Sequence, residues 1–484
     1  MSFSKQSILT NLIWKFAESW GAQIVGFVVS IILARILEPT DYGIIALIMV
    51  VISILQVFAD SGLGNSLIQK KDPDDLDYST VFFTNVIISV ILYISIWILA
   101  PCIADFYNLP QIIPFIRVLG LILPINAFRN IQNSYIAKHM IFKRFFFATL
   151  IGSLSSAVIG IYLAYNGAGV WALIVQQLIG SGVNTIVLWI TVPWHPSAKF
   201  STYRLKILFS FGWKLLCASF FDTLYKQIWQ LIIGKQYSAS DLAYFNKGQS
   251  FPQIIVTNIN TAINSILLPV MSSEQDNISR VRQMTRRAIK TSIFIMAPLM
   301  MLLCFTSENV VCLLLTEKWL PSVPFLCIFC INFMFWPIHT ANLNAINALG
   351  RSDIFLCLEI VKKIVGITIV IFTMQYGVMA MAYGLLLDGV LSQIINSWPN
   401  RKLLGYGYLH QLRDLLPSIA LAVIAGAAAY GIGMMQLPIH LVLVIALQVI
   451  AGAVTYLALS YLFHVDSLLY LFQVIKPLIA RKFG

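Results

Sequence analysis

Long apolar stretches alternate with short polar breaks along almost the whole chain. Most stretches reach the ~20 residues that carry an α-helix across a bilayer. Turn residues and charges between them predict fourteen spans, at 11–36, 41–62, 78–100, 112–136, 145–165, 169–191, 207–233, 241–270, 288–306, 322–348, 353–375, 377–398, 414–434 and 438–463. The breaks are too short to hold a sizeable soluble domain. The expected fold is an all-α polytopic membrane protein.

Composition excludes the soluble alternative. Hydrophobic residues make up 59% of the 484, charged residues 11%, and the mean hydropathy is +0.83. Soluble domains carry about 25% charged residues, so a chain this apolar needs lipid as its solvent. Lys5 precedes an apolar run with no small-residue cleavage site after it, so that run is expected to remain as the first helix rather than leave as a signal peptide.

The net charge of +12 reads as orientation, not nucleic-acid binding, because the basic residues sit in alternate loops. Lys70 and Lys71, then Lys138, Lys143 and Arg144, then Lys199, Arg204 and Lys206 mark one side. Arg280, Arg282, Arg286, Arg287 and Lys290 continue it, followed by Arg351, by Arg401, Lys402 and Arg413, and by the tail. The opposite loops offer little beyond Arg35, Lys235 and Lys318. A missed span would invert every later loop, so an even count with both termini in the cytoplasm is expected.

The two halves echo each other. Trp14-Lys15 opens the first span and Trp213-Lys214 the seventh; Asp41-Tyr42-Gly43 follows the first and Asp241-Leu242-Ala243 the seventh. Pro110, Pro114 and Pro124 around span four are matched by Pro321, Pro324 and Pro337 around span ten. Six spans per half is an even number, so the repeats run parallel, related by an axis along the membrane normal. The expected organisation is an N-terminal lobe over 1–200, a C-terminal lobe over 201–400, and spans thirteen and fourteen with a tail over 401–484.

Chemistry in such a chain rests on its intramembrane ionisable groups, each costing roughly 2.5–3.5 kcal/mol at a helix centre on insertion scales. Lys15 with Glu18, Asp222 with Lys226, and Glu359 with Lys362 or Lys363 are spaced to pair on one helix face. Lys15, Arg117, Lys214 and Lys247 lie where they can snorkel to headgroups. Asp60 reads as a solvated helix end, whereas Asp388 sits deeper and suits either ion coupling or a structural pair. Arg129 shares its span with Asn126, Asn130 and Asn133, a polar stripe at i, i+4 and i+7. Such a stripe would be costly against lipid, so cavity lining is the expectation and helix–helix hydrogen bonding the alternative. Span ten offers His339, Asn342, Asn344 and Asn347, and span eight Asn258, Asn260, Thr261 and Asn264.

Other chemistry is missing. The seven cysteines form no framework, and Cys327-Ile-Phe-Cys330 lies mid-helix without a redox context. There is no phosphate-binding G-x-x-x-x-G-K-[ST] loop, and the six histidines are scattered without metal-ligand spacing. No metal, cofactor or enzymatic centre is expected.

Leu33 to Gly43 (L-A-R-I-L-E-P-T-D-Y-G) resembles the end of the first helix in polysaccharide flippases of the MOP (multidrug/oligosaccharidyl-lipid/polysaccharide) superfamily. Asp60 to Lys71 (D-S-G-L-G-N-S-L-I-Q-K-K), with Ser79-Thr80-Val81-Phe82, resembles the Wzx-type and colanic-acid-exporter branch, as does Arg117 to Arg144. The resemblance spans most of residues 10–400. It implies two six-helix lobes around a central cavity, plus two further helices. It also implies transport of undecaprenyl-pyrophosphate-linked oligosaccharides across the bacterial inner membrane by alternating access, coupled to H+ or Na+, with polymerase machinery as a further partner. Lys15, Arg129, Lys214 and Lys226 then become candidates for the pyrophosphate. Asn126, Asn130, Asn133, Asn258 and Asn342 suit sugar hydroxyls, and Asp388 or Glu359 the coupling ion. Rival readings are a drug or cation exporter of the same superfamily and a membrane glycan polymerase or ligase, the latter lacking here a long periplasmic loop.

Overall fold

The computed structural model describes residues 5–435, 438–470 and 473; in the first helix, side chains are described at 14, 17, 18 and from 20 onward. Every regular element among them is helical. In chain order these are α1 (Lys5–Ile36), α2 (Pro39–Asp60), α3 (Leu63–Gln69), α4 (Asp75–Tyr107), α5 (Ile112–Leu119), α6 (Ile122–His139), α7 (Phe142–Tyr165), α8 (Val170–Thr191) and α9 (Thr202–Gln236). Then follow α10 (Ala239–Ser273), α11 (Ile278–Phe305), α12 (Ser307–Leu315), a 3-10 turn (Glu317–Ser322), α13 (Val323–Met334) and α14 (Trp336–Ala348). The last four are α15 (Ser352–Thr373), α16 (Val378–Leu403), α17 (Tyr408–Met434) and α18 (Leu441–Leu462).

Among the described residues, twelve helices are long and apolar enough to cross a membrane, counting α5 with α6 as one and the 3-10 turn with α13 and α14 as another. The two remaining predicted spans correspond to α1, whose described apolar part is Trp20–Ile36, and to α15, whose 22 residues carry Glu359, Lys362 and Lys363. Fourteen is therefore an approximate count: α15 is long enough to span but is interrupted by charge.

The chain divides into two compact units, Met1–Ala243 and Tyr244–Gly484. This contact boundary differs from the repeat-based one at 200/201 by α9 and the first turn of α10; α9 packs on α2, α3 and α4. Gly62 permits that approach. It lies at φ +67°, a conformation that suits glycine, and a Cβ there would collide with the Gly212 carbonyl of α9.

The echoes between the halves have structural counterparts. Helix α1 ends at Ile36 and α9 at Gln236, while α2 begins at Pro39 and α10 at Ala239. Each new helix is capped the same way. The Asp41 carboxylate accepts from the Glu38 amide at 3.1 Å, and that of Asp241 from the Ser238 amide at 3.2 Å. The proline echo marks two broken helices. Pro124 and Pro337 lack the N–H that would continue the ladder, and the chain breaks between α5 and α6 and between α13 and α14.

In the first unit, Leu63, Leu67, Phe82, Ile131, Leu188 and Leu208 belong to one buried cluster joining α3, α4, α6, α8 and α9. The turn before α4 is a charged lock. Asp74 caps α4 by accepting from the Asp77 amide at 2.9 Å, and Arg204 reaches Asp74 at 3.1 Å and Asp77 at 3.4 Å. Lys70 pairs with the fully buried Asp77 carboxylate. Burial pushes the Asp74 carboxyl up, but the Asp77 hydrogen bonds, Arg204 and Lys70 outweigh it and hold it below the ordinary carboxylate range. In the second unit, α17 and α18 form a pair on α11, tied by the Tyr456 hydroxyl donating to the Phe294 carbonyl at 2.9 Å.

Candidate functional site

Helix α6 carries more polar side chains than an apolar span tolerates, and their partners explain why. The Arg129 Nη2 donates to Asn126 Oδ1 at 3.0 Å, and the Ser181 hydroxyl of α8 donates to the same oxygen at 2.5 Å. Asn126 Nδ2 in turn donates to Gln56 Oε1 at 3.0 Å on α2. Gln56 Nε2 then donates to Asp60 at 2.9 Å, and Asn130 Nδ2 donates to the same carboxylate oxygen at 2.5 Å. A guanidinium and a carboxylate are thus joined through two amides across α6 and α2.

The stripe lines two cavities within the first unit rather than one. Asn126 and Arg129 face a cavity of about 400 Å³ walled by α6, α7 and α8, whose other polar groups include Thr149, Gln176, Gln177 and Asn184. Asn130 and Asn133 face one of about 250 Å³ with Asp60, Asn65, Asn85 and Ser134, closed by Leu216 and Ser219 of α9. Unspent hydrogen-bonding capacity gathers here. Among the described residues, Arg129 Nε, Asn133 Oδ1, Asn85 Nδ2 and Asn184 Oδ1 are buried without a partner. Such groups cost free energy unless water or another polar group satisfies them, and both cavities present them.

The Asp60-Ser61-Gly62 segment shapes the smaller cavity. Ser61 and Gly62 both take left-handed backbone and end α2, which leaves the Asp60 carboxylate at the rim. The Ser61 hydroxyl donates to Asn85 Oδ1 at 2.7 Å, fixing an amide of α4 against that rim. Asp60 is therefore part of this polar cluster and not merely a solvated helix end. Gln56, Ser181 and Asn184 are further members that sequence reasoning missed. Their only signal was a polar type inside an apolar helix, and for Asp60 the D-S-G-L-G run.

The other candidates do not join this cluster. Lys214 and Lys226 are exposed on α9, Lys226 paired with Asp222 at 2.7 Å, and neither lines these two cavities. The Lys15 side chain lies outside the described residues. In the second unit Asn342 is fully buried, accepting from Asn400 at 2.7 Å and Gln411 at 2.8 Å while donating to Gln411 at 2.9 Å. It is a helix–helix hydrogen-bonding residue, the alternative that sequence left open for any single asparagine. Asn258 donates to the Ile254 carbonyl of its own helix at 2.8 Å. Glu359 pairs with Lys362 at 2.5 Å, and Asp388 is half-buried on α16. Lys247 does not snorkel: it is buried with its ammonium 5.5 Å from the Trp319 ring centroid.

Comparison with known proteins bears on this arrangement. Residues 32–324 match the family model described as polysaccharide biosynthesis protein. The teichuronic acid biosynthesis protein TuaB of Bacillus subtilis (strain 168) is 23% identical over 472 residues, covering 95% of this chain and 96% of TuaB. The lipopolysaccharide biosynthesis protein WzxC of Escherichia coli (strain K12) is 23% identical over 381 residues, 77% of this chain and 76% of WzxC. Among solved structures, the lipid II flippase MurJ in an inward closed conformation superposes with a TM-score of 0.76 at 16% identity, covering 94% of this chain and 99% of MurJ. That identity speaks for the fold alone, a fold also found in a multidrug transporter of the MOP superfamily. The family model covers more than half of the chain, and the protein is accordingly a multi-pass membrane member of the polysaccharide biosynthesis protein family with the MOP-superfamily transporter fold.

Proposed function

We propose that the protein is a flippase that moves undecaprenyl-pyrophosphate-linked oligosaccharide repeat units across the bacterial inner membrane by alternating access. Its product would feed lipopolysaccharide, capsule or exopolysaccharide assembly. Family membership and the biosynthetic names of the relatives support a polysaccharide precursor as cargo. The observation that carries the reading is Arg129. Its half-buried guanidinium keeps one N–H without a partner beside a 400 Å³ cavity lined with amides and hydroxyls. A guanidinium offers forked, charge-assisted hydrogen bonds to a phosphate oxygen, and neighbouring amides suit sugar hydroxyls. A cation exporter would want an acid in that cavity, and among its described lining residues there is none.

Coupling to H+ or Na+ is part of the proposal, with Asp388 and Glu359 as the candidate carriers, Glu359 being paired with Lys362. The loop charges support an orientation with both termini in the cytoplasm. Depletion in the native host tests the whole reading. Lipid-linked repeat units should accumulate on the cytoplasmic leaflet while surface polymer disappears. Undiminished surface polymer in a host with no second flippase would overturn it.

A further inference from the structure

A second charged site lies within the other unit. At the ends of the helices marked by basic loops, Arg286, Lys290, Arg413 and Asp414 surround the mouth of a cavity of about 640 Å³ between α11, α17 and the segment after α18. Its acids are already engaged. Arg286 grips Asp414 through two hydrogen bonds of 2.6 and 2.7 Å, Tyr406 donates to Asp414 at 2.9 Å, and Lys290 holds Asp466 at 2.7 Å. Among the described residues neither Arg287 nor Arg413 has a carboxylate partner; Arg287 lies 4.4 Å over the Tyr470 ring. Three cations lining this cavity, Arg286, Lys290 and Arg413, against two paired acids leave it with net positive charge. A neighbouring cavity of about 440 Å³ shares Arg286, Lys290 and Asp466 and adds Arg287 and Ser467.

The rest of the larger cavity is apolar. Arg413, Pro417, Leu421 and Ile424 recur at helical spacing along one face of α17, with Phe463 opposite. Ile424 is 50% and Phe463 66% exposed, so this wall opens outward. From Arg413 to Ile424 the groove runs ~16 Å along the helix at ~1.5 Å per residue, about the depth of one leaflet of a ~30 Å hydrocarbon core.

We infer that the cationic mouth and apolar groove between α11 and α17 form a binding site for an anionic phospholipid of the surrounding membrane. The phosphate would lie among Arg286, Arg287, Lys290 and Arg413, and an acyl chain along Pro417, Leu421 and Ile424. Charge complementarity at a basic pocket between membrane helices, continuous with an apolar groove, is what such a lipid needs. The cargo would occupy the α6 cavities instead, so this inference does not depend on the proposed function.

Native mass spectrometry of the full-length protein tests it, with phosphatidylglycerol, cardiolipin or phosphatidylethanolamine added in detergent. The anionic lipids should be retained in preference to phosphatidylethanolamine. Arg287→Gln and Arg413→Gln break no ion pair, and each should reduce that preference roughly fivefold. Equal retention of all three lipids by the unaltered protein overturns the proposal, as does an unchanged preference in the double variant. Inorganic phosphate that displaces the anionic lipid at equal concentration would make this a free-anion site and would also overturn it. The lipid-class comparison on the unaltered protein stands even if a variant fails to fold.

Discussion

The Asp60 carboxylate at the end of α2 and the Asn130 amide on α6 meet at 2.5 Å, so the polar stripe of α6 is anchored to an acid from another helix. Through Gln56 and Asn126 the same acid is linked to Arg129. Asp60 is thus a positioning residue for the guanidinium. Asp60→Asn should leave membrane abundance near normal and lower transport several-fold. The double variant with Arg129→Ala should be no worse than Arg129→Ala alone, because residues in one hydrogen-bonded network act non-additively. Fully additive losses in a transport assay would separate the two.

Arg129→Ala removes a hydrogen bond to a charged group, worth about 1.5–3 kcal/mol. Headgroup affinity should fall roughly 10- to 100-fold at about 1.4 kcal/mol per decade. Arg129→Lys keeps the charge but not the fork, and should lie between. Surface-polymer complementation alongside membrane abundance checks this. Equal loss of export and abundance would assign Arg129 a structural role.

Asn342→Ala should behave in the opposite way. It strips the partner from Asn400 and Gln411 in a fully buried network, at about 1–3 kcal/mol for each group left unsatisfied. Thermal stability and abundance should drop together, and whatever protein remains should transport normally per molecule.

Gly62→Ala strains a left-handed position and drives a Cβ into the Gly212 carbonyl. The left-handed conformation alone costs about 1–2 kcal/mol for a non-glycine residue. The melting temperature should fall measurably, whereas Gly26→Ala, where nothing lies within 4 Å, should not destabilise.

Asp74 has a pH signature. Its folded carboxyl titrates below the unfolded one, whose value is about 3.9. Its stabilisation is therefore present above that unfolded value and is lost as pH falls through the folded one. The melting temperature of the unaltered protein should therefore fall increasingly as pH drops below about 4. Asp74→Asn, which keeps a good cap, should flatten that dependence at little cost near neutrality. Asp74→Ala should lose the cap as well, about 1 kcal/mol.

The helical class, the approximate span count and the repeat were legible because lipid imposes a length and a polarity on each span, and both are one-dimensional properties. Pro124 with Pro337 and Asp41 with Asp241 announced equivalent breaks and caps for the same local reason. The Asn126–Asn133 stripe was legible through helical spacing alone.

Which polar residues face a cavity was not legible, because that depends on what packs opposite. Asn130 and Asn342 look alike along the chain. One meets a carboxylate at a cavity rim and the other two buried amides. Asp60 looked like a helix end because its Asn130 partner lies seventy positions away on α6. The sequence by itself determined that this is a helical, repeated membrane protein, through hydropathy, spacing and loop charge. Only the tertiary structure decided that the stripe divides between two cavities and that Asp60 and Arg129 belong to one network. Burial and hydrogen bonding are properties of pairs of helices, and a single helix does not encode its neighbour.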